Sequence, residues 1–202
     1  MTDRLDRQIQ FVMEIDKLKR VFRRTYLTNR SDRENDAEHS WHVSLMAILL
    51  AEYAADPGTD LLRVVKMLLV HDLVEIDAGD TLCYDVEGNK TKAARERAAA
   101  DRIFQILPPD QAGEVRALWE EFEARQTPEA RFAAAMDRLQ PMLHNVHTAG
   151  KAWREHGITA DRVLAHNRHM AEGAPTLWEY AEKMIHRAAD EGHLAAAPED
   201  EP

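Results

Sequence analysis

Residues 67–80 read Met67-Leu68-Leu69-Val70-His71-Asp72-Leu73-Val74-Glu75-Ile76-Asp77-Ala78-Gly79-Asp80. An apolar run ends in an adjacent His-Asp pair, an acid follows three positions later, and a Gly-Asp step closes the stretch. Neighbouring residues of a helix project about 100° apart, so His71 and Asp72 serve one ion only where the helix edge faces a pocket. Glu75 stands at i+4 from His71 and i+3 from Asp72, the separations at which helical side chains meet. Leu68, Leu69, Val70, Leu73 and Val74 remain as apolar backing. The stretch looks like half of a metal site; a lone His-Asp pair on a helix is more often hydrogen-bonded or exposed than ligating, so the other ligands must come from elsewhere in the chain.

The 202 residues fit one domain with a substantial core. They are 45% hydrophobic but only 6% aromatic, with 8 Gly and 8 Pro, which favours helices over a β-sandwich. A formal net charge of −10 argues against a nucleic-acid polymer as partner, so a small anion would need a local basic patch. Cys83 is the lone cysteine, no charged-then-apolar leader opens the sequence, and the apolar runs stop short of a membrane span. A cytoplasmic protein without a membrane partner is expected.

Apolar spacing predicts a first helix from about residue 4 into the low twenties. Lys17, Lys19, Arg20, Arg23 and Arg24 crowd its end, a candidate anion patch in an acidic chain. After a polar loop over residues 29–37, a second helix is expected from Glu38 to about residue 53, its apolar residues nearly encircling it, which implies burial. Glu38, His39 and His42 at its start would be costly to bury without partners, so they are expected at a pocket or an end of the bundle. Further helices are expected at residues 61–76, 90–107 and 110–125. Another starts at Thr127-Pro128, where Thr caps and Pro takes the first turn. Asp137 lies beside the core stripe of that helix; read alone, its position favours a surface pair with Arg138 over a buried cation. His144/His147 and His166/His169 each sit three apart, but neither pair has a nearby Glu or Cys, and both are expected at the solvent. One or two helices over residues 160–189, anchored by Trp178 and Tyr180, complete a domain of residues 1–193, with a disordered acidic tail at 194–202.

His39, then His71-Asp72, then Asp137, each on its own predicted helix, resemble the H…HD…D pattern of the HD-domain metal-dependent phosphohydrolases. Leu18-Lys19-Arg20-Val21, Glu38-His39-Ser40, His71-Asp72-Leu73-Val74-Glu75, Gly79-Asp80 and the stretch Leu118 to Glu123 resemble its small 5'-deoxynucleotidases, the YfbR-like group, over residues 5–185. The resemblance implies a compact all-α HD-domain bundle in which His39, His71, Asp72 and Asp137 hold one divalent transition metal, Mn, Co, Fe or Zn. It implies catalytic roles for Glu75 and Asp80, one orienting or deprotonating a water and the other supporting the leaving 5'-oxygen or the sugar. It implies that Arg23 binds the phosphate of a nucleotide substrate, and that the protein is a homodimer. Bacterial members carry an aromatic residue beside that arginine to reject a ribose 2'-hydroxyl. This chain has Arg24 there, with Tyr26 and Trp41 as nearby aromatics.

The expected activity is therefore hydrolysis of (deoxy)ribonucleoside 5'-monophosphates. Its rivals are an HD phosphohydrolase acting on a cyclic dinucleotide, nucleoside triphosphate or alarmone, and a non-catalytic protein that binds metal and nucleotide.

Overall fold

The computed structural model describes residues 3–195. Its helices are α1 (Asp3–Ile15), α2 (Asp36–Leu49), α3 (Leu61–Val70), α4 (Glu75–Ala78), α5 (Val86–Phe104), α6 (Pro109–Ala124), α7 (Pro128–His147), α8 (Lys151–Glu155), α9 (Ala160–Asn167), α10 (Met170–Gly173) and α11 (Pro175–Asp190). The all-α expectation holds, with one small exception near the start of the chain.

That exception is a hairpin. The first helix ends at Ile15, passes through a 3-10 turn at Asp16–Arg20, and gives way to β1 (Phe22–Tyr26), antiparallel to β2 (Arg33–Asn35). Between the strands, Asn29 Oδ1 accepts from the backbone of Ser31 and Asp32, and Leu27 N donates to Asp32 O at 2.8 Å. The polar run read as a loop is this Asx-stabilised turn, and Phe22, Thr25 and Tyr26 suit the strand before it.

α7 is the central element. Thr127 caps it, accepting from Ala130 N, and Pro128 takes the first turn. Ala130, Phe132, Ala133, Met136 and Leu139 are buried against α2, α3, α6 and α11, in a core completed by Val43, Ala47, Val64, Met67, Leu68, Ala181 and Ile185. A second cluster joins Phe11 and Leu18 to Leu73, Val74, Ile103, Phe104 and Trp119. α3 and α4 therefore sit at the seam of two cores, and the chain between them carries the His-Asp pair.

The helix expected over residues 61–76 breaks at that pair. Leu73 N bonds Val70 O and Glu75 N bonds Asp72 O, so the backbone tightens from i→i−4 to i→i−3 bonding after His71. Side chains three apart eclipse in such a turn, which sets Asp72 and Glu75 one above the other. Gly79, with φ +73°, ends α4 in a conformation that suits glycine.

α2 is only half-buried, against expectation: Trp41 (64% exposed), Leu45 and Ile48 form an outward stripe while Val43 and Ala47 face the core. Tyr180 is exposed too, so of the two expected anchors only Trp178 packs against the core, beside Leu177, Ala181 and Ile185 of α11. Leu194 is buried and Ala195 bridges to Thr159, so the packed body runs past the expected boundary at 193; the rest of the expected tail, 196–202, lies outside the described residues. Among the described residues no helix is long and apolar enough to cross a membrane.

Candidate metal centre and phosphate pocket

His71 Nδ1 donates to Leu68 O at 2.8 Å, one turn back in α3. This fixes the tautomer and turns the lone pair of Nε2 outward. Nε2 lies 3.1 Å from Asp72 Oδ1 and 3.7 Å from Asp137 Oδ1, yet is hydrogen-bonded to neither. His39, fully buried on α2, has the same polarity: Nδ1 faces Gln140 Oε1 at 3.2 Å and Nε2 faces Asp137 Oδ1 at 3.0 Å. The break after α3, the start of α2 and the middle of α7 thus deliver His39, His71, Asp72 and Asp137 to one point. Asp137 is buried rather than at the surface, and Arg138, 3.4 Å from its Oδ2, leaves Oδ1 for the two imidazoles.

Arg23 reaches in from β1. Its Nη1 lies 2.9 Å from Asp72 Oδ2 and 3.3 Å from Asp36 Oδ1, and Nη2 lies 3.8 Å from Asp137 Oδ1. Glu75 is buried, and its carboxylate shares a close cluster with those of Asp36 and Asp72. Burial and the Asp72 charge push Asp36 up to about 7 and Glu75 well above the usual carboxylate range. Burial raises Asp80 as well, against the lowering pull of Arg23. Burial opposes ionisation of Asp137 too, but Arg138, His39 and His71 overcome it and hold its carboxyl well below that range. Burial and Arg23 work against a charge on His39, yet its hydrogen bond to Asp137 and the neighbouring Glu34 carboxylate raise it to about 9.

These groups line or adjoin a cavity of about 630 Å³, walled by Arg23, Arg24, His71, Asp72, Glu75, Asp80 and Asp137 on one side and Tyr84, Phe122 and Trp153 on another. All seven residues expected in the site meet there, His39 lying just behind the wall. Of the basic cluster, Arg23 and Arg24 line the cavity while Lys17 and Lys19 pair with Glu14 and Asp16. Glu38 is exposed, closing a capping box with Asn35 instead of facing a pocket. Tyr26 is turned to Glu155, Arg33 and Lys151, and Trp41 to solvent, so neither supplies an aromatic wall; Tyr84 and Trp153 do.

Sequence reasoning missed Asp36 and Gln140. Asp36 reads as a capping residue, but Asn35 takes the cap, and the register of α2 turns Asp36 inward. Gln140 follows Asp137 by three on α7, the spacing of a helical neighbour. His144, expected at the solvent, is buried too, because α7 turns it toward Glu34 of β2; His147 is exposed as expected.

The donor set fits a divalent cation. Two imidazole lone pairs and two carboxylates converge, the buried His71 Nε2 lacks a hydrogen bond, and Asp36, Glu75 and Asp80 add acid that Arg23 alone does not balance. Nitrogen and oxygen ligands in this mixture suit Mn²⁺, Fe²⁺, Co²⁺ or Zn²⁺.

A family model described as the HD domain matches residues 15–178. The chain is similar to the 5'-deoxynucleotidase HDDC2 of Homo sapiens, 32% identical over 136 residues that cover 67% of this chain and 65% of that protein. It is similar to the Xenopus laevis 5'-deoxynucleotidase HDDC2 at 30% identity, covering 67% and 66%. The match thus spans slightly less than two thirds of these relatives' length. Among solved structures, a predicted metal-dependent phosphohydrolase from Magnetospirillum magnetotacticum is 53% identical, with TM-score 0.91 and 96% of each chain covered. A conserved protein from Pyrococcus furiosus, 21% identical with TM-score 0.60 over 90% of this chain and 99% of its own, shares the fold.

Proposed function

The chain belongs to the HD-domain family, and from that membership we propose that it is a metal-dependent phosphomonoesterase that converts (deoxy)ribonucleoside 5'-monophosphates to nucleoside and phosphate. One observation carries the reading: His39, His71, Asp72 and Asp137 converge beside Arg23, Glu75 and Asp80 at a cavity of about 630 Å³. Such a volume suits a small nucleotide. The similarity to the HDDC2 relatives and the aromatic wall of Tyr84 and Trp153 support a nucleoside monophosphate as the occupant.

In this reading His39, His71, Asp72 and Asp137 hold the ion, which when bound supplies Lewis-acid charge to a phosphoryl oxygen and acidifies water. Arg23, tethered by Asp72 and Asp36, presents its guanidinium to the remaining phosphate oxygens and offsets charge that develops on them. A water oxygen bonds to phosphorus while the bond from phosphorus to the 5'-oxygen breaks. Glu75 and Asp80 manage the two protons: one carboxylate takes a proton from the water, and the other carboxyl group returns one to the leaving oxygen. Burial raises both groups above their ordinary carboxylate values, the direction that favours a carboxyl able to give as well as take a proton. Arg24, at the cavity edge where bacterial 5'-deoxynucleotidases have an aromatic residue, leaves both ribose and deoxyribose acceptable.

The exposed stripe of Trp41, Leu45 and Ile48 supports the further reading that two copies pair through α2. Assaying a panel of 5'- and 3'-monophosphates of ribo- and deoxyribonucleosides with Mn²⁺ or Co²⁺ tests the activity. Release of phosphate from the 5'-esters alone is expected, and no release from any of them would refute it.

A further inference from the structure

Behind His39, on the side away from the cavity, a second set of ligand-type side chains comes together from the same elements: Glu34 of β2, His42 of α2 and His144 of α7. None of the three lines the cavity. One ligand atom from each lies within 4.8 Å of the others.

The hydrogen-bond accounting does not close. The amide nitrogen of Gln140 is directed at Glu34 Oε1 and at His42 Nδ1, 3.1 Å away, which uses both of its hydrogens. His144 Nε2, at 3.5 Å from the same nitrogen, is a third claimant. Glu34 is 1% exposed and His144 6%, and Glu34 Oε2 and His144 Nδ1 are both buried without a hydrogen-bond partner. Glu34 Oε2 lies 3.6 Å from His39 Nδ1, which is turned to Gln140 Oε1. An unpaired carboxylate oxygen at this depth is costly.

The two orphan atoms face each other across 3.9 Å. That is too long for a hydrogen bond. It is about 0.5 Å wider than the separation of about 3.4 Å between two donors of a tetrahedral ion with bonds of about 2.0–2.2 Å, so a small inward shift of the two side chains brings both onto one ion. Burial holds the His144 imidazole toward the neutral form that a metal requires. His42 is only partly buried, which leaves a route to solvent and room for a water as a further ligand.

We propose that Glu34, His42 and His144 form a second divalent-metal site, of the two-imidazole, one-carboxylate kind that Zn²⁺ takes, separate from the centre at His71 and Asp72. An ion there ties the hairpin to α2 and α7 behind His39 and holds Gln140, which touches both sites. The assignment does not depend on the nucleotidase reading, because it concerns other ligands and is read by metal content.

The test is Zn²⁺ stoichiometry on chelator-stripped, re-dialysed full-length protein. Wild type binds two equivalents per chain; His42→Ala and His144→Ala each bind one; Asp72→Ala also binds one, retaining the second site. One equivalent in wild type at saturating Zn²⁺, or two in both histidine variants, overturns the proposal. Should His144→Ala fail to fold by circular dichroism, the half-exposed His42→Ala carries the comparison. Zinc-edge anomalous maps of wild-type crystals give an independent reading: a peak bonded to Glu34, His42 and His144 is expected, and its absence beside a filled His71 site overturns the proposal. Failure of the nucleotidase reading shows as absent phosphate release and leaves these stoichiometries unchanged.

Discussion

Gln140 fixes His39: its Oε1 faces His39 Nδ1 at 3.2 Å, so that Nε2 is the nitrogen presented to Asp137. Partners of this kind orient a ligating imidazole, and their loss typically costs 10–100-fold in metal affinity. Gln140→Met keeps the volume and removes the amide. Metal titration of the His71 site should show a loss of about 10–100-fold in affinity, and an unchanged affinity would mean that Gln140 does not orient His39.

Arg23 is bound to two buried carboxylates and, in the proposed function, also to the phosphate, so its replacement should have two effects. Arg23→Ala is expected to lower kcat/KM for the best 5'-monophosphate by about 10²–10³-fold, the loss of one charge-stabilising donor. Arg23→Lys should recover only part of it, since a lysine lacks the planar fork. Wild-type kcat/KM in both variants would remove Arg23 from the site.

The pH dependence of stability follows from His39 and Asp36. His39 is raised from 6.5 to about 9 against burial and Arg23 by its hydrogen bond to Asp137 and the nearby Glu34 carboxylate. Its contribution is whole below about 6.5 and is lost as pH rises through about 9. Asp36, raised from 3.8 to about 7 by burial and Asp72, has the same sign over its own window. Chelator-treated protein should therefore melt at steadily lower temperature from pH 6 to pH 9. Divalent metal, which binds the deprotonated ligands, should reduce or reverse that slope. Identical slopes with and without metal would contradict the assignment of His39 as a ligand.

The α2 stripe predicts a dimer. Wild-type protein should run at twice the chain mass by light scattering, and Leu45→Glu with Ile48→Glu should give a folded monomer. A monomeric wild type would leave the stripe without this role.

Much of the site was legible because helix periodicity and ligand chemistry are local. His71, Asp72 and Glu75 are spaced for one face, and His39 and Asp137 completed a pattern shared by a family. What was not legible depended on tertiary register. The break after His71 arises where two cores pull on α3 and α4, and nothing in Leu73-Val74 announces it. The hairpin that carries Arg23 is too short for strand alternation to stand out from the basic run. Asp36, Glu34 and Gln140 become functional candidates only once β2 and α7 are seen to enclose His39. His144 was misread because its partner Glu34 is 110 positions away in sequence. The burial of α2 was overestimated because an apolar circumference does not say which neighbours exist.

In the proposed function, one ion held by His39, His71, Asp72 and Asp137 is required for hydrolysis of a nucleoside 5'-monophosphate. Asp72→Asn keeps the shape and removes the charge. Metal content and phosphate release from a deoxyribonucleoside 5'-monophosphate should be measured on the same samples of wild type and variant. The variant is expected to lose the metal equivalent at this centre together with phosphate release, whereas wild type has both. Full release by a variant that lacks this metal, or no release by fully loaded wild type, would contradict it.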